Sequence, residues 1–299
     1  MGINGAVDWS TDLGGGTRVA LIQAGTFRSD AGALFGPVPR ILWDKLVTDE
    51  IDHEHRLLQA LNCLLVETPA GRVLIETGIG ERVNDKVREM RGYEGSPIVP
   101  AMTAAGFRPE TVDVVALSHL HFDHAGGLLR TDGSKAFPRA RIVAQRAEWE
   151  IAFDDNSRVV ASYDQLELRL VREWGESSWV DGETELLPGV SVMRTGGHSA
   201  GHQAIVIRPA GQAAVGGFTL RGAATRTLAF FGDLGMRPWS ANPRWVTAFD
   251  DFPLDSVAVK GDLFARAARD AWTIVLSHEP RTPVGRLVVE RDRYRFEAL

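Results

Sequence analysis

The stretch LSHLHFDHAGG, Leu117 to Gly127, constrains this chain more than any other. It sets His119, His121, Asp123 and His124 side by side in a sequence with only eight histidines. His119 and His121 are two apart, so in an extended segment they face the same way. The apolar, β-branched run VDVVALS leads into the motif and a glycine pair leaves it. That pattern is a strand ending in a loop, which is where a rigid sheet presents reactive groups. Imidazole nitrogens and carboxylate oxygens are donors suited to zinc, iron or manganese. Four of them exceed what one metal with an open position takes from one short loop, which points to two ions.

Three later positions extend the set. TGGHSAGHQ places His198 in a Gly-rich turn between two apparent strands, FFGDLG places Asp233 just after an apolar strand, and VLSHEP places His278 just after another. Strand-to-loop junctions of an α/β sheet are where sites assemble.

In this order, HxHxDH, then His, then Asp, then His resembles the metallo-β-lactamase-fold hydrolase superfamily. The hairpin NCLLVETPAGRVLIETGIG and the turn TGGHSAGH strengthen the likeness, the latter being similar to the superfamily's usual TPGHTPGH. The resemblance implies an αββα four-layer sandwich, two mixed β-sheets face to face with helices outside. It implies one metal on His119, His121 and His198, a second on Asp123, His124 and His278, and Asp233 bridging both. The cofactors would be two divalent ions, zinc foremost, with manganese, iron and cobalt as alternatives. A shared hydroxide would attack the substrate, with Asp123 both ligating and orienting it. Where the superfamily often has LIDTG, this chain has Glu76, which would support a histidine one methylene further out. His202 fits a supporting role better than a ligand's. His53 and His55, in the acidic stretch IDHEH, read as solvated.

The rest of the chain sets the frame. Apolar strands alternate with helices and also cluster in hairpins, which favours a mixed-sheet α/β sandwich over a doubly wound parallel sheet. Residues 1–16 are polar and Gly-rich and read as a loose arm; residues 17–299 read as a single domain. Residues 28–56 mix Gly, Pro and apolar residues and read as an irregular active-site loop. Cys63, the only cysteine, lies in the apolar run LNCLLV and reads as a buried core thiol. A net charge of −6 argues against a nucleic-acid partner. No apolar run reaches a membrane span, and the first residues lack the basic and apolar regions of a signal peptide, so a cytoplasmic location is expected. A homodimer is compatible with this reading.

The substrate is expected to be a small, fairly apolar ester or lactone. A phosphotriester is the alternative, with a β-lactam or RNA less favoured. The homoserine-lactone-degrading branch, which this chain resembles, carries a tyrosine three residues after the bridging aspartate, and here that position is Met236. Asp30, Phe35, Trp43, Met236 and Trp239 are the expected pocket residues.

Overall fold

The computed structural model describes residues 7–155, 158, 160–174, 177–211 and 226–299. Seven strands form one sheet in chain order: β1 (Val7–Gly14), β2 (Thr17–Asp30), β3 (Arg56–Thr68), β4 (Gly71–Ile75), β5 (Val114–Ala116), β6 (Arg141–Gln145) and β7 (Ser177–Val180). Seven more form a second sheet, again with sequence neighbours paired: β8 (Glu183–Leu187), β9 (Val190–Arg194), β10 (Gln203–Ile207), β11 (Leu228–Phe230), β12 (Thr273–Val275), β13 (Val284–Glu290) and β14 (Arg293–Ala298). Both sheets are mixed. The first runs antiparallel through β4 and parallel from β4 to β7. The second is antiparallel except where β11 meets β12.

Side-chain alternation makes the layers. On β3, Leu61, Cys63 and Leu65 point outward into a core shared with Ile98, Met102, Trp149, Leu168 and Val171 of the covering helices. Leu64 and Val66 point inward against Val192, Ile205, Ile207 and Phe230 of the second sheet. A strand apolar on both faces reads as a continuous apolar run, as LNCLLV does. Each such Leu or Val contributes roughly 1.5–3 kcal/mol by leaving water. The second sheet's outer face is covered by the helix Pro253–Arg269 through Leu263, Phe264 and Ala267. The result is the expected four-layer αββα sandwich, and Cys63 is a free, buried thiol.

Two expectations are corrected. Val7–Gly14 is not a loose arm but the edge strand β1, paired with β2 from Val7–Ile22 to Gly14–Thr17; residues 1–6 lie outside the described residues. Residues 28–56 are not irregular: Asp30 caps a short helix, Ala31–Phe35, and a second helix spans Arg40–Val47. Gly36, Pro37 and Pro39 signal breaks, yet Gly36 closes the first helix at φ +50 and Pro39 precedes the second, where its missing N–H costs nothing. Strand β7, SSWV, opens on two serines, and its Val180 joins the core between the sheets.

On β2 the register slips between Gln23 and Thr26. Gly25 sits there at φ +97, and a Cβ would lie 2.5 Å from the Glu94 carbonyl oxygen. Beyond this bulge, Phe27 and Ser29 reach the cleft described below. Bulges commonly re-aim side chains in this way.

Candidate metal centre

Four loops meet at one edge of the sandwich. Strand β5 ends at Ala116 and feeds the segment bearing His119, His121, Asp123 and His124. The β9–β10 connection carries His198, and β11 and β12, parallel neighbours, end just before Asp233 and His278. All seven expected ligands are brought together. His119 Nε2 lies 3.0 Å from His121 Nδ1, and His198 Nε2 lies 3.2 Å from the same atom. His124 Nε2 and His278 Nε2 lie 3.2 and 3.1 Å from Asp233 Oδ1, and 3.8 and 3.7 Å from Asp123 Oδ2. Asp233 Oδ2 lies 3.5 Å from His198 Nε2, so its two oxygens face both groups. His119, His121 and His198 form one donor group, Asp123, His124 and His278 another, and His119, His124 and Asp233 a third lying across them.

These donors fit metal ions. Two ligands at about 2.0–2.2 Å from a tetrahedral ion stand roughly 3.3 Å apart, close to the spacings here. Each ring's other nitrogen is separately engaged for four of the five histidines: His119 Nδ1 with Ser118 Oγ at 2.9 Å, His124 Nδ1 with Glu76 at 3.2 Å, His198 Nδ1 with Asp250 at 2.8 Å, and His278 Nδ1 with the Ala60 carbonyl at 2.8 Å. Such partners fix the ring and its tautomer. His124 Nε2, facing the cluster, is buried without a hydrogen-bond partner among the described residues.

Charge is divided sharply across the cluster. Burial, reinforced by neighbouring imidazoles, holds His119 and His121 well below the usual histidine range. Burial also presses on His124, but Asp233, Asp123 and Glu76 outweigh it and hold His124 well above that range. His198 is raised in the same way, against burial, by Asp250 and Asp233. Burial would raise Asp233, yet His124 and His278 hold it well below the carboxylate range. Without metal these fields favour the protonated forms of His124 and His198, so cations entering there compete with protons.

The supporting residues are as informative. Glu76 sits at φ +65, rare for a non-glycine residue and common at functional sites. From there its carboxylate accepts the Ser118 N–H at 2.8 Å and reaches His124. His202 Nε2 accepts the Asp233 N–H at 3.2 Å, and its Nδ1 meets Thr195 Oγ1 at 2.6 Å. Accepting at Nε2 requires the proton on Nδ1, and burial takes the His202 pKa down to about 3. Gly232, at φ +51, lets this approach happen, because a Cβ would stand 2.6 Å from His202 Nε2.

Two carboxylates were not flagged by the sequence. Asp250 orients His198 and is itself bonded by Thr247 Oγ1 at 3.1 Å. Glu148 is fully buried and joins two ligand loops. It accepts the Leu120 N–H at 3.0 Å and the Tyr163 hydroxyl at 3.1 Å on one oxygen, and the Gly201 N–H at 3.1 Å and the Ser199 hydroxyl on the other. The Tyr163 ring packs edge-on against His121, centroids 4.7 Å apart. A charged residue on a helix whose neighbour is Trp149 was the available signal, but its partners lie far along the chain.

A cleft open to solvent reaches His121, Asp123, His198, Asp233 and His278. Its apolar wall is Phe27, Leu34, Phe122, Met236 and Phe249; Gln59 and Arg91 add polar groups. Of the expected pocket residues only Met236 lines it. Asp30 is a helix cap, accepting the Ala33 N–H at 2.7 Å. Phe35 stacks on Trp43 at 4.5 Å and meets Trp239 at a tilt of 43°, centroids 4.6 Å apart, in a small core with Met236 that backs the cleft. Aromatic rings at irregular spacing packed against each other instead of facing the ligand space. His53 and His55 are exposed, away from the cluster.

An αββα sandwich with a buried His/Asp cluster at one edge defines a metal-binding fold class with an open cleft. A family model described as the metallo-beta-lactamase superfamily matches residues 58–213, and the chain belongs to that superfamily. It is similar to an N-acyl homoserine lactonase of Bacillus cereus, 34% identical over 158 residues, which are 48% of this chain and 57% of that protein. The match thus spans little more than half of that relative. Among solved structures, one described as a "probable metal-dependent hydrolase from Staphylococcus aureus" superposes with TM-score 0.82 at 23% identity, covering 97% of this chain and 99% of that one. A dizinc quorum-quenching lactonase, AidC, superposes with TM-score 0.78 at 18% identity, covering 97% of each chain. At these identities the structural likeness speaks for the fold. Among the described residues, no helix is long and apolar enough to cross a membrane.

Proposed function

We propose that this chain is a dinuclear metal-dependent hydrolase of a small, largely apolar ester or lactone. The observation carrying the reading is Asp233, whose two oxygens face the two donor groups 3.1–3.5 Å away. His119, His121 and His198 would hold one divalent ion and Asp123, His124 and His278 the other, zinc being the ion best suited to a site rich in imidazole. When bound, two such ions lower the pKa of a water from about 15.7 toward about 7 and polarise the attacked carbonyl.

The chain's own residues supply the rest. Asp123 lies on the cleft wall with its carboxylate 12% exposed, where it can orient the attacking water and take its proton. Phe27, Leu34, Phe122, Met236 and Phe249 hold an apolar acyl chain and keep bulk water off the reacting bond. No phenol serves the leaving group from three residues after Asp233, since Met236 occupies that position. Tyr163, beside His121, has its hydroxyl committed to Glu148. The proton taken by Asp123 is the one available to return to the leaving alkoxide. The similarity to N-acyl homoserine lactonases supports lactone or ester cleavage over other reactions of the superfamily.

Asp123→Ala tests the assignment. Loss of a general base of this kind costs about 10²–10⁴-fold in kcat, with far-UV circular dichroism unchanged. Metal analysis of the wild type should give close to two ions per chain. Wild-type turnover in the variant, or a single ion per chain, refutes the dinuclear reading.

A further inference from the structure

Arg91 stands apart from the other arginines of its neighbourhood. Arg28 donates to the Glu50 and Arg56 carbonyls at 3.2 and 3.3 Å and pairs with Asp52 at 3.6 Å. Arg56 pairs with Asp52 at 2.9 Å and donates to the Met90 carbonyl at 2.6 Å. Arg88 donates to the Tyr93 carbonyl at 3.4 Å. The Arg91 guanidinium, by contrast, has no hydrogen-bond acceptor or ion pair among the described residues. It lies 3.8 Å over the Phe122 ring, on the wall of the cleft.

The position is costly as it stands. Burial pulls the Arg91 pKa down, and the field of Asp123 only partly restores it. No hydrogen bond or ion pair joins Arg91 to Asp123 among the described residues, and Asp123 Oδ2 lies in the donor group with His124 and His278. A partly desolvated charge with five donors and no acceptor is a group awaiting a partner. Packing over the Phe122 ring limits the freedom of the guanidinium, and its planar fork of N–H groups matches a carboxylate in bidentate geometry. The same cleft holds a second polar group with spare capacity: Gln59 is buried, donates Nε2 to the Leu58 carbonyl at 2.9 Å, and leaves Oε1 unpartnered. A cleft meant only for a hydrocarbon chain would carry neither.

We propose that Arg91 is a specificity-determining residue that binds a carboxylate on the substrate, so that the preferred ester or lactone carries an anionic group at the far end of a short apolar chain. This rests on the hydrolase reading of the same cleft. The carboxylate takes the exposed fork of Arg91, the chain lies along Phe27, Phe122 and Met236, and the scissile carbonyl reaches Asp123. A neutral substrate of the same length leaves the guanidinium unpaired in a site it has dehydrated.

The test uses a matched pair of chromogenic esters, mono-4-nitrophenyl adipate and its methyl ester, with zinc-loaded wild type, Arg91→Met and Arg91→Lys. Met keeps an apolar stem over Phe122 without the charge; Lys keeps the charge without the fork. Wild type should prefer the acid in kcat/KM. That preference should fall about 10- to 100-fold in Arg91→Met, the worth of a charge-assisted hydrogen bond, and recover in part in Arg91→Lys. Calorimetric titration with monomethyl adipate, on zinc-loaded and metal-free protein, provides a readout that needs no turnover. Tighter binding to wild type than to Arg91→Met by a similar factor supports the proposal even if neither ester is cleaved, an outcome that would sink the hydrolase reading alone. Equal binding to both proteins, or an acid-to-ester preference unchanged in Arg91→Met, overturns it.

Discussion

Glu148→Gln is the most searching perturbation of the site that leaves every expected ligand in place. Four donors converge on this carboxylate, two on each oxygen. A glutamine keeps one acceptor oxygen and turns an NH2 toward the other two donors. Whichever way the amide is turned, one backbone N–H faces an N–H and loses its acceptor, the hydroxyl on that side must turn and accept instead, and the remaining bonds lose their charged acceptor, each such bond being worth about 1.5–3 kcal/mol. Against that stands relief from burying a charge: no cation pairs with Glu148 among the described residues, and burial already raises its pKa despite the hydrogen bonds. The net expectation is a loss of about 2–4 kcal/mol. The damage falls between the Leu120 segment and the Ser199–Gly201 turn, the two loops that bring His119 and His121 to His198. Metal affinity should therefore drop by about 10- to 100-fold as well, the usual cost of disturbing a ligand's support. Urea unfolding of metal-free protein measures the first quantity and competition with a chromogenic chelator the second. A variant with the wild-type unfolding midpoint and wild-type metal affinity would show that Glu148 clamps nothing.

Two further predictions concern the helix Pro253–Arg269. Lys260 is buried beside Asp250, donates to the Trp245 carbonyl at 2.8 Å, and has its pKa lowered to about 8, chiefly by burial. A lysine lowered on folding holds the fold back while charged, so its favourable contribution appears as pH rises and is lost as pH falls through about 8. Wild-type stability relative to Lys260→Met should climb by about 3 kcal/mol between roughly pH 8 and 10.5, read from urea midpoints, and a flat difference refutes it. Gly261 lies inside the same helix with nothing within 4 Å of a built Cβ. Gly261→Ala should therefore stabilise by about 0.5–1 kcal/mol, and a lower unfolding midpoint would count against it.

What was legible in the sequence is what is written locally. Apolar runs on β3, β5, β10 and β11 and the HxHxDH spacing sit within short windows, so the layers are legible there, while the grouping of the seven expected donors came from the resemblance. What was not legible depends on distance. Glu148 meets Ser199 and Gly201 from 51 and 53 residues away, and Asp250 meets His198 from 52. In RAEWEI only the adjacent Trp149 hints at burial, and nothing in AFDDF marks Asp250 as different from other acidic residues. Arg91 was hidden for the opposite reason: it is distinguished by lacking a partner, and sequence shows no partners at all. The helices at Ala31–Phe35 and Arg40–Val47 were masked by their own punctuation, since Gly36, Pro37 and Pro39 end and precede helices as readily as they fill loops. The resemblance that lays the early segment over the site puts Phe35, Trp43 and Trp239 in the pocket, but these rings pack against each other.

Each sheet is drawn from one contiguous half of the chain, and the donor cluster lies where the halves meet. His121 and His198, which would share an ion, are 77 residues apart in sequence, and Asp123 and His278 stand on opposite sheets. With a single cysteine, the chain has no intrachain disulfide to close such loops. Ions bound at this edge would act as its cross-links, tying the first half to the second across the seam. Closing long loops removes the most freedom from the unfolded chain. Chelation would thus withdraw reactivity and unlatch the two halves of the sandwich in one step.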